Sequence, residues 1–250
     1  MSTEKPTIVI VPGAWQLASG YVPFATQLQE AGLPTEVIAF PSVGGTESPL
    51  PGLPEDVIET QKVLTRLVEE GKEVVLLCHS YGGVVGSCSA EGFSVAERAK
   101  EGKKGGVRLV VYMAAFMIPK GKSLLDMLGG KPLPWMDVQG EKTIGVADQM
   151  HHIIYNDMSV EQAAPYLQQI SHSASIVFST PSTFEPWNNG VKCAYIFCTE
   201  DNALLFPIQQ AMAAQLGPEP VTWVLKCGHC PYASIPQELA EVVLKAAEVK

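Results

Sequence analysis

The sequence predicts an α/β fold, with a mostly parallel central sheet flanked by helices. Two observations carry this. Short apolar, β-branched runs recur along the 250 residues, each bounded by turn residues, and continuous apolar runs of that length suit strands buried on both faces of a parallel sheet. Patterns of helical period lie between them, and strands alternating with helices define the class.

In chain order the runs are Ile8 to Val11, Val37 to Phe40, Val74 to Leu77, Val107 to Met113, Ala194 to Phe197 and Val221 to Leu225. The first follows a polar, mixed-charge start and is too short for the apolar core of a secretion signal. Val57, Leu64, Leu67 and Val68 share one face of a predicted helix that Gly71 caps. Between residues 117 and 186 the alternation breaks and no clear strand run is visible, while Ser159-Val-Glu-Gln162 has the form of a capping box opening a helix towards Ile170. This stretch is expected to be an inserted helical lid following a fifth strand. It is rich in methionines and aromatics, of which Met117, Trp135 and Tyr155 are candidate substrate contacts together with Trp15 near the N-terminus.

Hydrophobic residues make up 46% of the chain, enough for one sizeable core, and no linker or low-complexity tract divides it, so a single domain over residues 1–250 is expected. With 17 basic and 26 acidic residues the net charge is -9, which repels both a phosphate backbone and an anionic membrane surface. Neither nucleic acid nor membrane is therefore an expected partner, and no apolar span is long enough to cross a bilayer. Six cysteines in mostly apolar runs, without a secretion signal, read as free thiols in a cytoplasmic protein. The oligomeric state is open, a homodimer included.

The chemistry concentrates where strand runs end. Val74 to Leu77 leads through Cys78 and His79 into Ser80, then Tyr81, Gly82 and Gly83. This is the strand-turn-helix form of a nucleophile elbow, G-x-S-x-G, with cysteine in place of the first glycine. A serine hydroxyl attacks only when a base takes its proton, and the base needs an orienting group. Two later runs supply both: Ala194 to Phe197 ends in Cys-Thr-Glu-Asp201, and Val221 to Leu225 ends in Lys-Cys-Gly-His229. Asp201 would fix the tautomer of His229, with Glu200 as a close rival. An oxyanion would be held by the Tyr81 backbone N–H and by one from the Pro12-Gly13-Ala14 loop, for which Ala14 is favoured. His79, beside the nucleophile, is expected to be structural.

The segments IVIVPGAW, CHSYGG, VVYMAAFMIP, CTEDNALLFP and the late CGH together resemble the α/β-hydrolase superfamily over nearly the whole length. Within it they are similar to the small methylesterase and hydroxynitrile-lyase group and related microbial hydrolases. The resemblance implies an α/β-hydrolase fold, a Ser80–Asp201–His229 triad, an oxyanion hole at Ala14 and Tyr81, and no metal or organic cofactor. Cys230 follows His229 where lyases of this type carry a lysine, and Gly13 stands where they carry a threonine, so cyanogenic lyase activity is disfavoured. The expected activity is hydrolysis of a carboxylic ester or lactone of a small apolar metabolite through an acyl-serine, in the tailoring of secondary metabolites.

Other readings stay open at this level. The pocket could serve a cofactor-free lyase, isomerase or cyclase using His229 as base, or a receptor that hardly turns over. Cys227-Gly-His-Cys230 spells a disulfide oxidoreductase motif, but too near the C-terminus for a thioredoxin-like unit to follow. His151, His152 and His172 with that cysteine pair lack the spacing of a metal site.

Overall fold

In a computed structural model, which describes residues 5–249, the strands are β1 Thr7–Val11, β2 Thr35–Val37, β3 Glu73–His79, β4 Gly106–Met113, β5 Met136–Gln139, β6 Lys142–Gly145, β7 Ser173–Ala174, β8 Cys193–Cys198 and β9 Val221–Leu225. The helices are α1 Val22–Glu30, α2 Leu53–Glu69, α3 Gly82–Ser89, α4 Val95–Lys100, α5 Leu124–Met127, α6 Ala147–Ile154, α7 Val160–Leu167, α8 Ile176–Ser179, α9 Phe206–Ala213, α10 Pro231–Ser234 and α11 Pro236–Glu248. The reading of the polar N-terminal start falls partly on residues 1–4, outside those described.

Six strands form one sheet in the order β2-β1-β3-β4-β8-β9, every pairing parallel. The predicted α/β class is the observed one. Both faces of β1 are buried: Val9 and Val11 join a core with α2 and α3, and Ile8 and Ile10 join a second core with α1 and α11. That two-sided burial is why the strand reads as a continuous apolar run rather than an alternating one. α2 also follows its pattern, with Leu64, Leu67 and Val68 buried. It ends in a Schellman arrangement, Gly71 at φ +78° and the N–H groups of Gly71 and Lys72 donating to the Val68 and Leu67 carbonyls at 3.0 Å each.

Two expectations need correction. The run at Val37 to Phe40 is mostly not strand; β2 is Thr35–Val37 and only its last residue overlaps. β2 is an edge strand, where polar residues such as Thr35 and Glu36 are admissible, so the apolar run misplaced it. The segment between residues 117 and 186 follows the fourth sheet strand, not a fifth, and is not wholly helical. It contains a three-stranded antiparallel sheet β5-β6-β7, whose hairpin turns at Gly140, φ +63°. These strands are four residues or shorter and each is broken by polar residues, exposed in β5 and buried at Thr143 and Ser173 in β6 and β7, which leaves no apolar run to detect. The capping box is present where expected: Gln162 N–H donates to Ser159 Oγ at 3.3 Å and opens α7.

Candidate active site

Ser80 leaves β3 at φ +54°, in the left-handed region that side-chain-bearing residues avoid. Close packing on both sides holds it there. A Cβ at Gly82 would collide with the Val11 and Pro12 carbonyl oxygens, and one at Gly83 with that of Phe116. The Ser80 carbonyl accepts hydrogen bonds from Gly83 N–H at 3.0 Å and Phe116 N–H at 3.1 Å. Both glycines thus let α3 begin against the ends of β1 and β4. Cys78, where the elbow form has glycine, is fully buried, and a methyl group at Gly86 on the facing turn of α3 would strike its sulfur. Here the glycine on the helix makes room for the cysteine on the strand.

His229 follows β9 and is 4% exposed. Its Nδ1 donates to Asp201 Oδ2 at 2.8 Å, leaving Nε2 as the basic nitrogen. The Asp201 carboxylate is fixed in turn, accepting from the Ala203 and Leu204 N–H groups at 2.8 Å each and from Gln209 Nε2 at 3.2 Å. Glu200, the rival acid, points away towards Lys226 Nζ, 3.7 Å distant, with its side chain 45% exposed. His79 is fully buried and structural in its contacts: Nε2 donates to the His229 carbonyl at 2.8 Å, and Nδ1 meets the Tyr21 hydroxyl at 2.7 Å. Burial, and then the neighbouring His229, hold its pKa well below the ordinary histidine value, so it stays neutral.

Ser80, His229, Ala14 and Tyr81 meet at one largely apolar pocket that opens to solvent. Among the described residues, neither the Ala14 nor the Tyr81 N–H donates to another protein group. Their neighbours are committed elsewhere: Gly13 N–H to the Tyr21 hydroxyl at 3.0 Å and Trp15 N–H to Ser173 Oγ at 2.7 Å. Trp15, at φ +65°, turns its indole into the wall, where it stacks on Phe178 with centroids 5.1 Å apart and meets Trp135 edge-on at 5.3 Å. Of the four candidate substrate contacts, Trp15 and Trp135 line the cavity. Met117 and Tyr155 do not; the residues before them, Phe116 and Ile154, do. Tyr155 is buried instead against Tyr232, the hydroxyls 3.4 Å apart. A pocket-facing position cannot be told from its neighbour by residue type alone, and both choices are one residue off. Gln16, Phe178 and Leu204 were not foreseen as lining; Gln16 directly follows Trp15, and Leu204 lies just beyond the acidic loop.

Cys227 and Cys230 are fully buried and unbridged. Burial pushes the Cys230 thiol well above its usual range, the opposite of what a reactive dithiol requires. Among the described residues no three His, Cys, Asp or Glu side chains converge as for a metal.

A parallel sheet with a left-handed serine at the carboxyl end of its third strand, beside a histidine–aspartate pair, defines a class. The chain belongs to the alpha/beta hydrolase family, whose model matches residues 8–242. It is similar to a probable hydrolase, R7, of a Phoma species, 28% identical with 97% of this chain and 98% of that one covered. It is equally similar to the alpha/beta hydrolase nvfD of Aspergillus novofumigatus, 28% identical with 97% of each covered. Among solved structures, polyneuridine aldehyde esterase shares the fold at TM-score 0.79 and 19% identity, covering 98% of this chain and 100% of that one. A pyrethroid hydrolase from Sphingobium faniae does so at 0.78 and 20%, covering 98% of each.

Proposed function

We propose that this protein is a serine hydrolase that cleaves a carboxylic ester or lactone of a small apolar molecule. The carrying observation is the meeting, at one apolar cavity, of the left-handed Ser80, the Asp201-bound His229 and two uncommitted backbone N–H groups. In this reading Ser80 Oγ attacks the carbonyl carbon while His229 Nε2 takes its proton, and Asp201 stabilises the imidazolium. The oxyanion forms against the N–H groups of Ala14 and Tyr81. His229 then protonates the leaving alcohol, and water, deprotonated by His229, releases the acid from the acyl-serine.

The cavity supports the substrate class. Among the described residues, apart from the catalytic groups, its wall is almost wholly aliphatic and aromatic, Gln16 being the polar exception, and no lysine or arginine lines it. A substrate carrying a free carboxylate would lose hydration there without a partner. The esterase and hydrolase names of the similar proteins agree with this reading, and residues 117–186, which supply Leu124, Leu128, Leu133, Trp135 and Phe178 to the wall, act as the lid that selects substrates.

The test is intact mass after exposure to a fluorophosphonate, together with turnover of short-chain p-nitrophenyl esters, for the unaltered protein and Ser80→Ala. One adduct on Ser80, and a fall in kcat of about a thousandfold or more in the variant at unchanged melting temperature, is expected. An adduct without turnover would replace the hydrolase with a receptor or a non-hydrolytic enzyme. No adduct would remove Ser80 as nucleophile.

A further inference from the structure

Asp56, in the first turn of α2, is fully buried. Its carboxylate accepts three hydrogen bonds: from Ser42 N–H at 3.1 Å to Oδ1, and from Ser42 Oγ at 2.6 Å and the Tyr81 hydroxyl at 2.9 Å to Oδ2. None of the ion pairs among the described residues involves it. A buried carboxylate facing only neutral donors is an expensive arrangement. Burial raises its pKa from 3.8 to about 6 against the lowering effect of Ser42 and Tyr81, with Glu55 adding to the rise. A carboxyl whose folded pKa is raised contributes stability that is present below the unfolded pKa and lost as pH rises through the folded one. Above about pH 6 the ionised Asp56 therefore weakens the fold, and its benefit is to be sought in the site. Tyr81, whose own proton is held more tightly through burial and Asp56, is the titratable side chain directly against it, with Cys88 behind.

Tyr81 is the residue after the nucleophile. Its ring is buried in the core, edge-on against Phe40 at 5.7 Å and 6.5 Å from Phe178. Among the described residues the bond to Asp56 is the one hydrogen bond its hydroxyl makes, and so the one directional tie on the end of the side chain. The anchor is itself braced, since the Ser42 carbonyl accepts from Ala174 N–H of β7 at 2.8 Å. We propose that Asp56 is a positioning residue: its carboxylate fixes the Tyr81 phenol and thereby aims the Tyr81 backbone N–H at the oxyanion. This rests on the acyl-serine reading of the site.

The test compares the unaltered protein, Asp56→Asn, Tyr81→Phe and the double variant. It measures kcat and KM for p-nitrophenyl butyrate and the Ki of an alkyl trifluoromethyl ketone, whose hemiketal with Ser80 places an oxyanion in the hole. Each single variant is expected to lose about 5- to 50-fold in kcat, less than removal of a donor outright. KM should stay within about twofold and the ketone's Ki should rise in step with the loss. The double variant should be no slower than the slower single one, because both changes break the same link. Losses that multiply in the double variant, or a Tyr81→Phe protein at full kcat, would overturn the role. Tyr81→Phe keeps the ring and decides the matter alone should Asp56→Asn not fold. Turnover that survives Ser80→Ala would sink the acyl-serine reading and this inference with it. Turnover that needs Ser80 but not the phenol would sink only the inference.

Discussion

Glu200 and Asp201 are neighbours in the chain with opposite surroundings. Asp201 is 3% exposed and its two oxygens meet three donors besides His229, whereas Glu200 faces solvent and Lys226. A carboxylate fixed by backbone N–H groups keeps its aim, which is what an orienting partner for histidine needs. Asp201→Asn should lower kcat for a p-nitrophenyl ester by about a hundred- to ten-thousandfold with little change in KM. Glu200→Gln should stay within about twofold, as expected of a solvated charge. Equal losses in the two variants would show that the histidine is served by either acid. In the sequence Asp201 is the favoured partner, but Glu200 beside it in the same loop stays a close rival. What separates them is Gln209, eight residues on, and the turn of the chain at Ala203 and Leu204.

At the scale of elements, the β3–α3 elbow explains how a cysteine can occupy a glycine position. Three facing positions are glycines, Gly82, Gly83 and Gly86, and each meets backbone or the Cys78 sulfur where a methyl would sit. Gly86→Ala should destabilise the protein by about 1–3 kcal/mol through overpacking. Adding Cys78→Gly should recover most of that loss, because the two side chains compete for one space. Denaturant midpoints of the four proteins measure this, and simple additivity would mean that the helix relieves the clash by moving. Buried elements of this kind were legible, since β1, β3, β4 and β8 are apolar on both faces. The edge strand β2 and the hairpin β5–β6 were not. Their residues are half solvated, and their pairing depends on partners distant in sequence, such as Thr143 against Ser173.

Across the whole molecule, the segment between β4 and β8 grips both loops of the histidine–aspartate pair. The Asp157 carboxylate accepts the Gly228 N–H at 2.7 Å, next to His229, while Asn156 Nδ2 donates to the Glu200 carbonyl at 2.8 Å and Asn202 Nδ2 to the His152 carbonyl at 2.9 Å. Asn156 and Asp157 oxygens would lie 2.6 Å from a Cβ at position 228, so a side chain there would push these two aside. Asp157→Ala leaves a part-buried N–H without its charged acceptor and should cost about 1.5–3 kcal/mol in stability. It should also lower kcat by about tenfold by loosening His229; thermal melts and ester kinetics read the two effects, and full kcat in a destabilised protein would confine Asp157 to folding.

Periodicity and strand-end chemistry in the sequence by themselves determined the α/β class, the elbow, and the order Ser80, Asp201, His229 as candidates. Those features are local: burial on two faces writes itself into a run of five residues, and a strained turn demands glycines beside it. The tertiary structure alone decided how Asp201 is held against His229 while Glu200 turns to solvent, that Phe116 and Ile154 rather than Met117 and Tyr155 line the cavity, and that Asp56 is tied to Tyr81. Each of these joins residues set by side-chain direction or by distant packing, and neither residue type nor spacing carries that information.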